Sequence, residues 1–238
     1  MLFHECSEEK GQPMKQSVYD RIESYMLASM ENSAHDREHV YRVLYNALDI
    51  ARTEPAVDLD LLIAACLLHD VGRQEQLERP ALDHALVGGE KAYRFLLEIG
   101  FDEGFAAHVR RCIETHRFRQ NRPPESLEAK ILFDADKLDA TGMIGIARSL
   151  MYSVAVDRPI YTRLADGSIS DGSQDDAPCF FHEYKFKLEK LYDRFYTTRG
   201  AEIARQRQSV AKACYEALLR EVREPDSNGK SLLSNILE

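Results

Sequence analysis

The sequence is short of three features that assign proteins to large classes. Its longest uninterrupted apolar run, residues 61–68, falls far below the roughly 20 residues that a membrane-spanning helix needs. Its 31 Lys and Arg are outnumbered by 40 Asp and Glu, and the net charge of −9 argues against a broad basic face for nucleic acid. The five cysteines are scattered and form no C-x-x-C pair, which argues against a disulfide framework or a zinc knuckle.

These absences lead to an expectation about the setting of the protein. The amino-terminal stretch MLFHECSEEKG has no apolar signal-peptide core, so a cytoplasmic location with reduced thiols is expected. Cys66 and Cys112 lie on apolar helix faces and are expected to be small core residues. We expect no membrane association and no stable binding of nucleic acid. A homodimer is the default oligomeric expectation, because twofold dimers are the commonest assemblies.

The apolar residues repeat with helical spacing, and no alternating apolar and polar stretch occurs before about residue 160. The spacing predicts an all-α fold with helices at about 15–31, 37–53, 58–70, 83–99, 102–115, 126–138, 141–155, 180–197 and 200–222. Asp36 is expected to cap the second helix, and Gly200 to separate the last two.

The same pattern predicts the organisation of the chain. Residues 1–14 form an amino-terminal extension, 15–222 one domain, and 223–238 a weakly tethered carboxy-terminal tail. Residues 157–179 are polar and rich in Gly, Ser and Asp, and they contain Arg163 as a candidate phosphate-binding head. A segment of this length and composition is either a lid that closes over a substrate or disordered.

Several predicted helices interrupt their buried stripe with a residue type that binds metals. In the helix at 58–70, the positions that continue the apolar stripe are His69 and Asp70. In the helix at 126–138, the stripe leads to Asp136, whereas Asp134 points elsewhere. The same arithmetic places three further histidines one turn before or after an apolar stripe: His39, His84 and His116.

Buried groups of this kind need partners. An unpaired carboxylate in a protein interior costs several kcal/mol, so inward His and Asp side chains must pair with one another or hold a cation. Any one of these histidines alone would more often be a satisfied core or surface residue. Their coincidence on separate helices favours a divalent cation. The donor set suits Mn²⁺ or Mg²⁺, which we favour, with Ni²⁺, Fe²⁺, Zn²⁺ or Co²⁺ as alternatives.

The order of these residues resembles the HD-domain metal-dependent phosphohydrolase superfamily. The superfamily's signature is a His, a His-Asp doublet and a distal Asp on an all-α scaffold. Three stretches carry the resemblance in the superfamily's order: AHDREHVYRV, ACLLHDVGR and LFDADKLDATGMIGIAR. The last of these, with FFHEYKFKLEKLYDRFYTTRGAEIARQR, is similar to small stand-alone bacterial members that include nucleotide pyrophosphohydrolases. The resemblance covers roughly residues 30–222 and implies a helical bundle with the metal site among its core helices.

The resemblance implies a ligand set. One metal is held by His39, His69, Asp70 and Asp136. His84 and His116 occupy places where dinuclear branches of the superfamily bind a second metal and where mononuclear branches touch the substrate phosphate, and we favour one metal.

Some mononuclear nucleotidases of this superfamily carry a catalytic Glu three residues after the doublet. That place is Arg73 here, so their arrangement is not preserved, and whether Glu75 substitutes is open.

The residues also suggest roles in hydrolysis of a phosphoester or phosphoanhydride. Asp70 is expected to orient a water and accept its proton, while His116 or His84 stabilises the attacked phosphate or protonates the leaving group. Lys137, beside Asp136, is a further catalytic and phosphate-binding candidate. The substrate-binding candidates are the basic residues within or beside the motifs: Arg42, Arg73, Lys137, Arg148 and Lys187. Each has an alternative role in a surface ion pair, and Arg42 has one in supporting a metal ligand.

The sequence leaves several functions open. The first is metal-dependent hydrolysis of a ribo- or deoxyribonucleoside triphosphate to the monophosphate and pyrophosphate. The alternatives are a phosphomonoesterase or phosphodiesterase, and a non-catalytic nucleotide-binding HD module. A nucleic-acid-binding regulator is disfavoured by the acidic charge. The stretch from His35 to His39 superficially resembles a zinc-protease helix, but it lacks that motif's Glu.

Overall fold

Helices make up almost all of the regular structure, as the spacing predicted. The structure is a computed structural model that describes residues 14–30, 37–117, 122–174 and 176–237. Within those ranges the only β feature is an isolated bridge between Arg163 and Ile169. The α-helices are α1 Gln16–Ser29, α2 Arg37–Ala51, α3 Leu59–Leu68, α4 Arg73–Glu78, α5 His84–Glu98, α6 Glu103–Thr115, α7 Leu127–Leu138, α8 Gly142–Ala155, α9 Phe180–Phe186 and α10 Thr198–Leu237.

The chain divides into two compact units, residues 1–44 with 54–129 and residues 45–53 with 130–238. Helix α3 forms the centre of the first unit, because its side chains from Leu61 to Leu68 are buried except for the half-buried Ile63. It contacts α1, α5 and α6. Cys66 on α3 and Cys112 on α6 are fully buried in this core, as predicted.

Aspartates fix the starts of three helices in the first unit. The Asp58 carboxylate accepts from the backbone N–H of Leu61 at the start of α3. Asp83 and Asp102 cap α5 and α6 in the same way. A side chain that caps a helix in this way contributes about 1 kcal/mol and sets the residue at which the helix begins. The predicted cap of α2, Asp36, lies outside the described residues.

The second unit corrects the prediction of a helix over 180–197. Helix α9 ends at Phe186, a 3₁₀ helix follows at Leu188–Lys190, and the chain is irregular from there to α10. Just before α10, the buried Asp134 carboxylate on α7 accepts the backbone N–H groups of Tyr196 and Thr197 at 3.0 and 2.7 Å. Those N–H groups are therefore used by a side chain and do not extend a helix.

Helix α10 overturns two expected boundaries. Gly200 does not separate two helices, because it lies within the first turn of α10. A Cβ at this position would lie 2.9 Å from an Asp134 carboxylate oxygen, so the close approach to α7 explains the glycine. The helix also continues past residue 222 and through Pro225 to Leu237, so the predicted tail is helical as far as it is described.

The polar segment 157–179 packs along α10. The Tyr215 hydroxyl donates to the carbonyl of Asp171 at 2.5 Å, and the Arg223 guanidinium donates to the carbonyl of Ile169 at 2.8 Å. Arg163, the candidate phosphate-binding head, forms a 2.6 Å ion pair with Asp226. The described part of the segment is therefore anchored by hydrogen bonds, and its role as a lid stays a prediction.

None of the helices described in this structure has both the length and the apolar character needed to cross a bilayer.

Candidate metal centre

Four histidines and one aspartate meet inside the first unit. His39 lies on α2, His69 ends α3 and is followed by Asp70, His84 begins α5, and His116 ends α6. All five side chains are buried, with at most 2% of each residue exposed. Two groups of three have ligand atoms within 4.8 Å of one another: His39 with His69 and Asp70, and Asp70 with His84 and His116. The structure thus brings together five of the six residues predicted to bind a metal.

Asp70 lies at the centre of this cluster and belongs to both groups. Its Oδ2 atom is 3.7 Å from Nε2 of His39 and 3.6 Å from Nε2 of His69. Its Oδ1 atom is 3.3 Å from Nε2 of His84 and 3.7 Å from Nε2 of His116. Each carboxylate oxygen therefore faces two imidazole nitrogens.

The hydrogen bonds of His69 and His116 indicate which nitrogen of each ring carries the proton. The other nitrogen presents its lone pair to Asp70. Nδ1 of His69 lies 2.7 Å from the carbonyl of Cys66, and Nδ1 of His116 lies 2.6 Å from the carbonyl of Ile113. A carbonyl only accepts hydrogen bonds, so Nδ1 carries the proton in both rings. Nε2 of each neutral ring then presents its lone pair towards Asp70, as a metal ligand must.

Electrostatics favours an ionised Asp70 and a neutral His84. Burial raises the pKa of Asp70, but the positive charges of His69 in its protonated form and of the Arg73 guanidinium, followed by protonated His116 and His39, outweigh it and hold that pKa well below its usual range. Burial, reinforced by the nearby Arg73 guanidinium, lowers the pKa of His84 to about 2. A carboxylate beside neutral imidazoles is the protonation state in which these groups bind a divalent cation.

The hydrogen bonding of two buried atoms in the cluster indicates whether a divalent cation fits there. Asp70 Oδ2 and His84 Nε2 are buried acceptors that have no hydrogen-bond partner. An unsatisfied buried polar group costs about 1–3 kcal/mol, and a charged one costs more. A divalent cation held by His39, His69 and Asp70 would satisfy Asp70 Oδ2, and a cation or a hydrogen-bond donor beside His84 would satisfy its Nε2. The residues present therefore fit the metal that the sequence pattern predicted.

A glycine pair brings the Asp70 turn against α5. A Cβ at Gly72 would lie 2.4 Å from the carbonyl oxygen of His84 and 2.5 Å from the backbone nitrogen of Gly88. Only glycine allows such an approach of two backbones. The sequence reading missed this role of Gly72, although the glycine directly after His-Asp-Val was visible.

The substrate-binding candidates of the first unit include one residue in the cluster. Arg73 begins α4, a helix that the sequence did not predict, and its Nε donates to Asp70 Oδ1 at 2.9 Å. Arg42 is half-buried on α2. Glu75 pairs with Lys91 at 2.7 Å through Oε1, and whether it substitutes for the catalytic Glu stays open.

The candidates of the second unit have partners of their own. Lys137 is buried, donates to the carbonyl of Arg194 and lies 5.0 Å from the ring centroids of both Phe133 and Phe195. Its burial lowers the pKa of Lys137 to about 8. The catalytic and phosphate-binding role of Lys137 stays a prediction.

Three candidates of the second unit remain: Asp136 as a metal ligand, and Arg148 and Lys187 as substrate-binding residues. Arg148 pairs with Asp139, and the exposed Lys187 pairs with Glu183 at 2.6 Å. Asp136 lies half-buried near the end of α7, and its role as a metal ligand stays a prediction.

The low pKa of His84 predicts a pH dependence of stability in the metal-free protein. Below its ordinary pKa of 6.5, the unfolded chain binds a proton at this residue and the folded chain does not, so stability falls as the pH is lowered. From pH 7 to pH 5 this group should remove about 2 kcal/mol of the free energy of unfolding. His84→Asn should abolish this part of the loss in urea titrations with chelator present. An equal pH dependence in wild type and His84→Asn would show that His84 is not held neutral by the fold.

Comparisons with known proteins agree with this site. The profile of the HD domain family matches residues 37–141, which include all five clustered residues. YpgQ of Bacillus subtilis (strain 168), described as uncharacterized, is 30% identical over 201 residues, which cover 82% of this chain and 88% of YpgQ.

Solved structures extend the likeness over most of the chain. A predicted HD superfamily hydrolase from an uncultured Thermotogales bacterium is 30% identical with a TM-score of 0.58, covering 85% of this chain and 91% of its own. A HD-superfamily hydrolase from Bacillus thuringiensis is 28% identical with a TM-score of 0.67, covering 87% and 98%. Bacillus subtilis YpgQ in complex with ADP is 27% identical with a TM-score of 0.65, covering 85% and 96%. With its buried His and Asp cluster, the chain belongs to the HD domain family of metal-dependent phosphohydrolases.

Proposed function

We propose that this protein hydrolyses nucleoside or deoxynucleoside triphosphates to the monophosphate and pyrophosphate, using a divalent metal. One observation carries the proposal: the Nε2 atoms of His39, His69, His84 and His116 surround the carboxylate of Asp70 in the buried part of the first unit. Such a cluster supplies neutral nitrogen ligands and one negative charge. It is suited to hold a divalent cation against a phosphate chain.

The donor chemistry supports a choice of metal. We propose that His39, His69 and Asp70 hold the ion together with Asp136, and that His84 and His116 face the substrate phosphate. Imidazole nitrogens suit transition-metal ions, whereas Mg²⁺ prefers a shell of oxygens. A site with at least two imidazoles therefore favours Mn²⁺ over Mg²⁺. When bound, the ion lowers the pKa of a coordinated water and withdraws charge from a phosphoryl oxygen.

The protein's own residues supply the remaining chemistry. The low pKa of Asp70 leaves its carboxylate ionised at neutral pH, so it can orient a water by accepting its hydrogen bond. Arg73 donates to Asp70 through Nε, and about a quarter of its side chain is exposed. The rest of its guanidinium is free to neutralise a phosphate oxygen. His84 is neutral and offers Nε2, and a pKa of about 2 makes it a weak base, so its role towards the substrate is to accept a hydrogen bond and not to protonate a leaving group.

Two further observations support a nucleotide substrate. YpgQ, which resembles this chain over most of its length, was crystallised in complex with ADP. The stretch at 180–207 is similar to bacterial members of the superfamily that include nucleotide pyrophosphohydrolases. We therefore place a nucleoside polyphosphate ahead of a phosphomonoester or a phosphodiester.

A product-resolved turnover assay tests the proposal. Metal-stripped protein is reloaded separately with Mn²⁺, Mg²⁺, Ni²⁺ or Zn²⁺ and offered deoxynucleoside triphosphates, ribonucleoside triphosphates and a generic phosphodiester. We expect one pyrophosphate for each monophosphate, with Mn²⁺ more effective than Mg²⁺ and no turnover in chelator.

The other outcomes of this assay identify the competing functions. Orthophosphate without pyrophosphate from a triphosphate would indicate a phosphomonoesterase. Cleavage of the diester alone would indicate a phosphodiesterase. Nucleotide binding with metal bound, but without any turnover, would indicate a binding module.

A further inference from the structure

Gln76 on α4 holds the histidine that begins α5. We propose that Gln76 is a positioning residue that keeps His84 protonated on Nδ1, so that the Nε2 lone pair faces Asp70. The Nδ1 atom of His84 lies 2.5 Å from Oε1 of Gln76. This inference rests on the proposed metal-dependent function, since the orientation of the lone pair matters only at a site that binds a cation or a hydrogen-bond donor such as the water used in hydrolysis.

The orientation of the Gln76 amide follows from its second hydrogen bond. Its Nε2 donates to the backbone carbonyl of Leu82 at 2.9 Å. A carbonyl cannot donate, so the NH₂ group must point to Leu82 and Oε1 must point to His84. Oε1 in turn accepts only from an N–H group. His84 therefore carries its proton on Nδ1, and Nε2 lies 3.3 Å from Asp70 Oδ1 with its lone pair available.

The position of His84 in the fold explains why a side chain is needed here. His69 and His116 end their helices and use the carbonyl three residues earlier, at Cys66 and Ile113. His84 is the first residue of α5, so no helical carbonyl precedes it. The acceptor must come from another element, and α4 provides it across the short loop that contains Leu82. Three histidines thus reach the same tautomer by two different means.

The first measurement uses the wild-type, metal-free protein. Long-range proton–nitrogen correlation spectra of ¹⁵N-histidine-labelled protein distinguish a protonated ring nitrogen from one with a lone pair. Comparison with His84→Asn assigns the signals of His84. We expect Nδ1 to be protonated and Nε2 to carry the lone pair. Protonation of Nε2 in the wild type would overturn the proposal without any need for a Gln76 variant.

Two substitutions then separate hydrogen bonding from packing. Gln76→Leu removes the acceptor, so His84 should shift towards the form protonated on Nε2. Gln76→Glu keeps an acceptor opposite Nδ1 and should retain the wild-type tautomer. The matched control is Gln74→Leu, because Gln74 lies on the same helix but donates to Glu78 and does not contact His84. An unchanged His84 tautomer in Gln76→Leu would contradict the proposal.

Turnover and metal affinity together provide a second readout. Groups that orient a ligand in this way typically contribute 10- to 100-fold to metal affinity or activity. Because His84 is proposed to face the substrate, kcat should fall about 10- to 100-fold in Gln76→Leu and stay close to wild type in Gln76→Glu and Gln74→Leu, with the Mn²⁺ affinity retained in calorimetric titrations. A Gln76→Leu protein that loses Mn²⁺ affinity by the same factor would also support the positioning role, with His84 as a ligand of the metal.

Equal Mn²⁺ affinity and equal kcat in wild type and Gln76→Leu would overturn the inference. The tautomer is measured without metal or nucleotide, so it is decided even if no triphosphate is hydrolysed. A correct tautomer with no turnover would instead count against the proposed function alone.

Discussion

Replacing Asp70 with Asn is expected to lower metal-dependent turnover by about 10³-fold or more. The substitution keeps the size of the side chain but removes the one carboxylate that faces all four imidazoles. A catalytic metal supplies several kcal/mol to the transition state, and each 1.36 kcal/mol is a factor of ten in rate. Mn²⁺ binding by calorimetry and release of pyrophosphate should therefore be lost together.

The matched control lies at the other end of the same helix. Asp58 caps α3, and Asn is an equally good cap, so Asp58→Asn should keep both stability and turnover. The wild type should also gain thermal stability with Mn²⁺, by about 2.7 kcal/mol at a free concentration of 100 times Kd, and Asp70→Asn should not. An Asp70→Asn protein that retains a tenth of the wild-type turnover would remove Asp70 from the centre of the chemistry.

The periodicity of the apolar residues predicted most of the metal cluster. His69, Asp70 and His116 continue an apolar stripe past the end of a helix, and His39 and His84 precede one. A side chain at such a position points towards the core but lies at the mouth of a bundle. For this reason the spacing alone could identify residues that the structure brings within 4.8 Å of one another.

Features that depend on tertiary hydrogen bonds could not be predicted from the periodicity. Gln76 and its helix α4 lack an apolar stripe, so nothing in the pattern marked them, and their role depends on a loop carbonyl and a histidine of another helix. Asp134 likewise takes the N–H groups of Tyr196 and Thr197 from across the second unit. The predicted helix over 180–197 was wrong at this end for that reason, although α9 already stops at Phe186.

Charged residues near a motif were the least predictable. Five basic residues were candidates for phosphate contacts, and sequence position could not tell a phosphate ligand from a partner of a carboxylate. Arg73 does reach the cluster, whereas Arg148 and Lys187 pair with Asp139 and Glu183. Long side chains choose among several partners within reach, and only the folded chain determines which partner is there.

Helix α7 carries two aspartates for which we expect opposite effects. Asp134 is fully buried, and one of its oxygens accepts from both the backbone N–H and the hydroxyl of Thr197 at 2.7 Å. Asp134→Asn places an NH₂ group against donors, and leaving such a buried group unsatisfied costs about 1–3 kcal/mol. At roughly 2–4 °C per kcal/mol for a domain of this size, the melting temperature should fall by about 2–12 °C. Its Mn²⁺ affinity should stay at the wild-type value.

Asp136→Asn should produce the reverse result. We propose Asp136 as the fourth ligand of the metal, so its replacement should weaken Mn²⁺ binding and lower pyrophosphate release by about 10²-fold or more, since each 1.36 kcal/mol is a factor of ten. Asp136 is only half-buried, so the metal-free protein should melt within about 2 °C of the wild type. Melting curves in chelator and Mn²⁺ titrations of both variants measure the two effects separately.

The paired design distinguishes ligation from packing on a single helix. If both variants lose stability and keep Mn²⁺ affinity, α7 contributes no ligand, and the site consists of the clustered histidines and Asp70. If Asp134→Asn weakens metal binding as much as Asp136→Asn does, the assignment of the ligand to Asp136 is wrong. Loss of metal binding in Asp136→Asn alone would make His39, His69, Asp70 and Asp136 the metal set, with His84 and His116 left to face the phosphate.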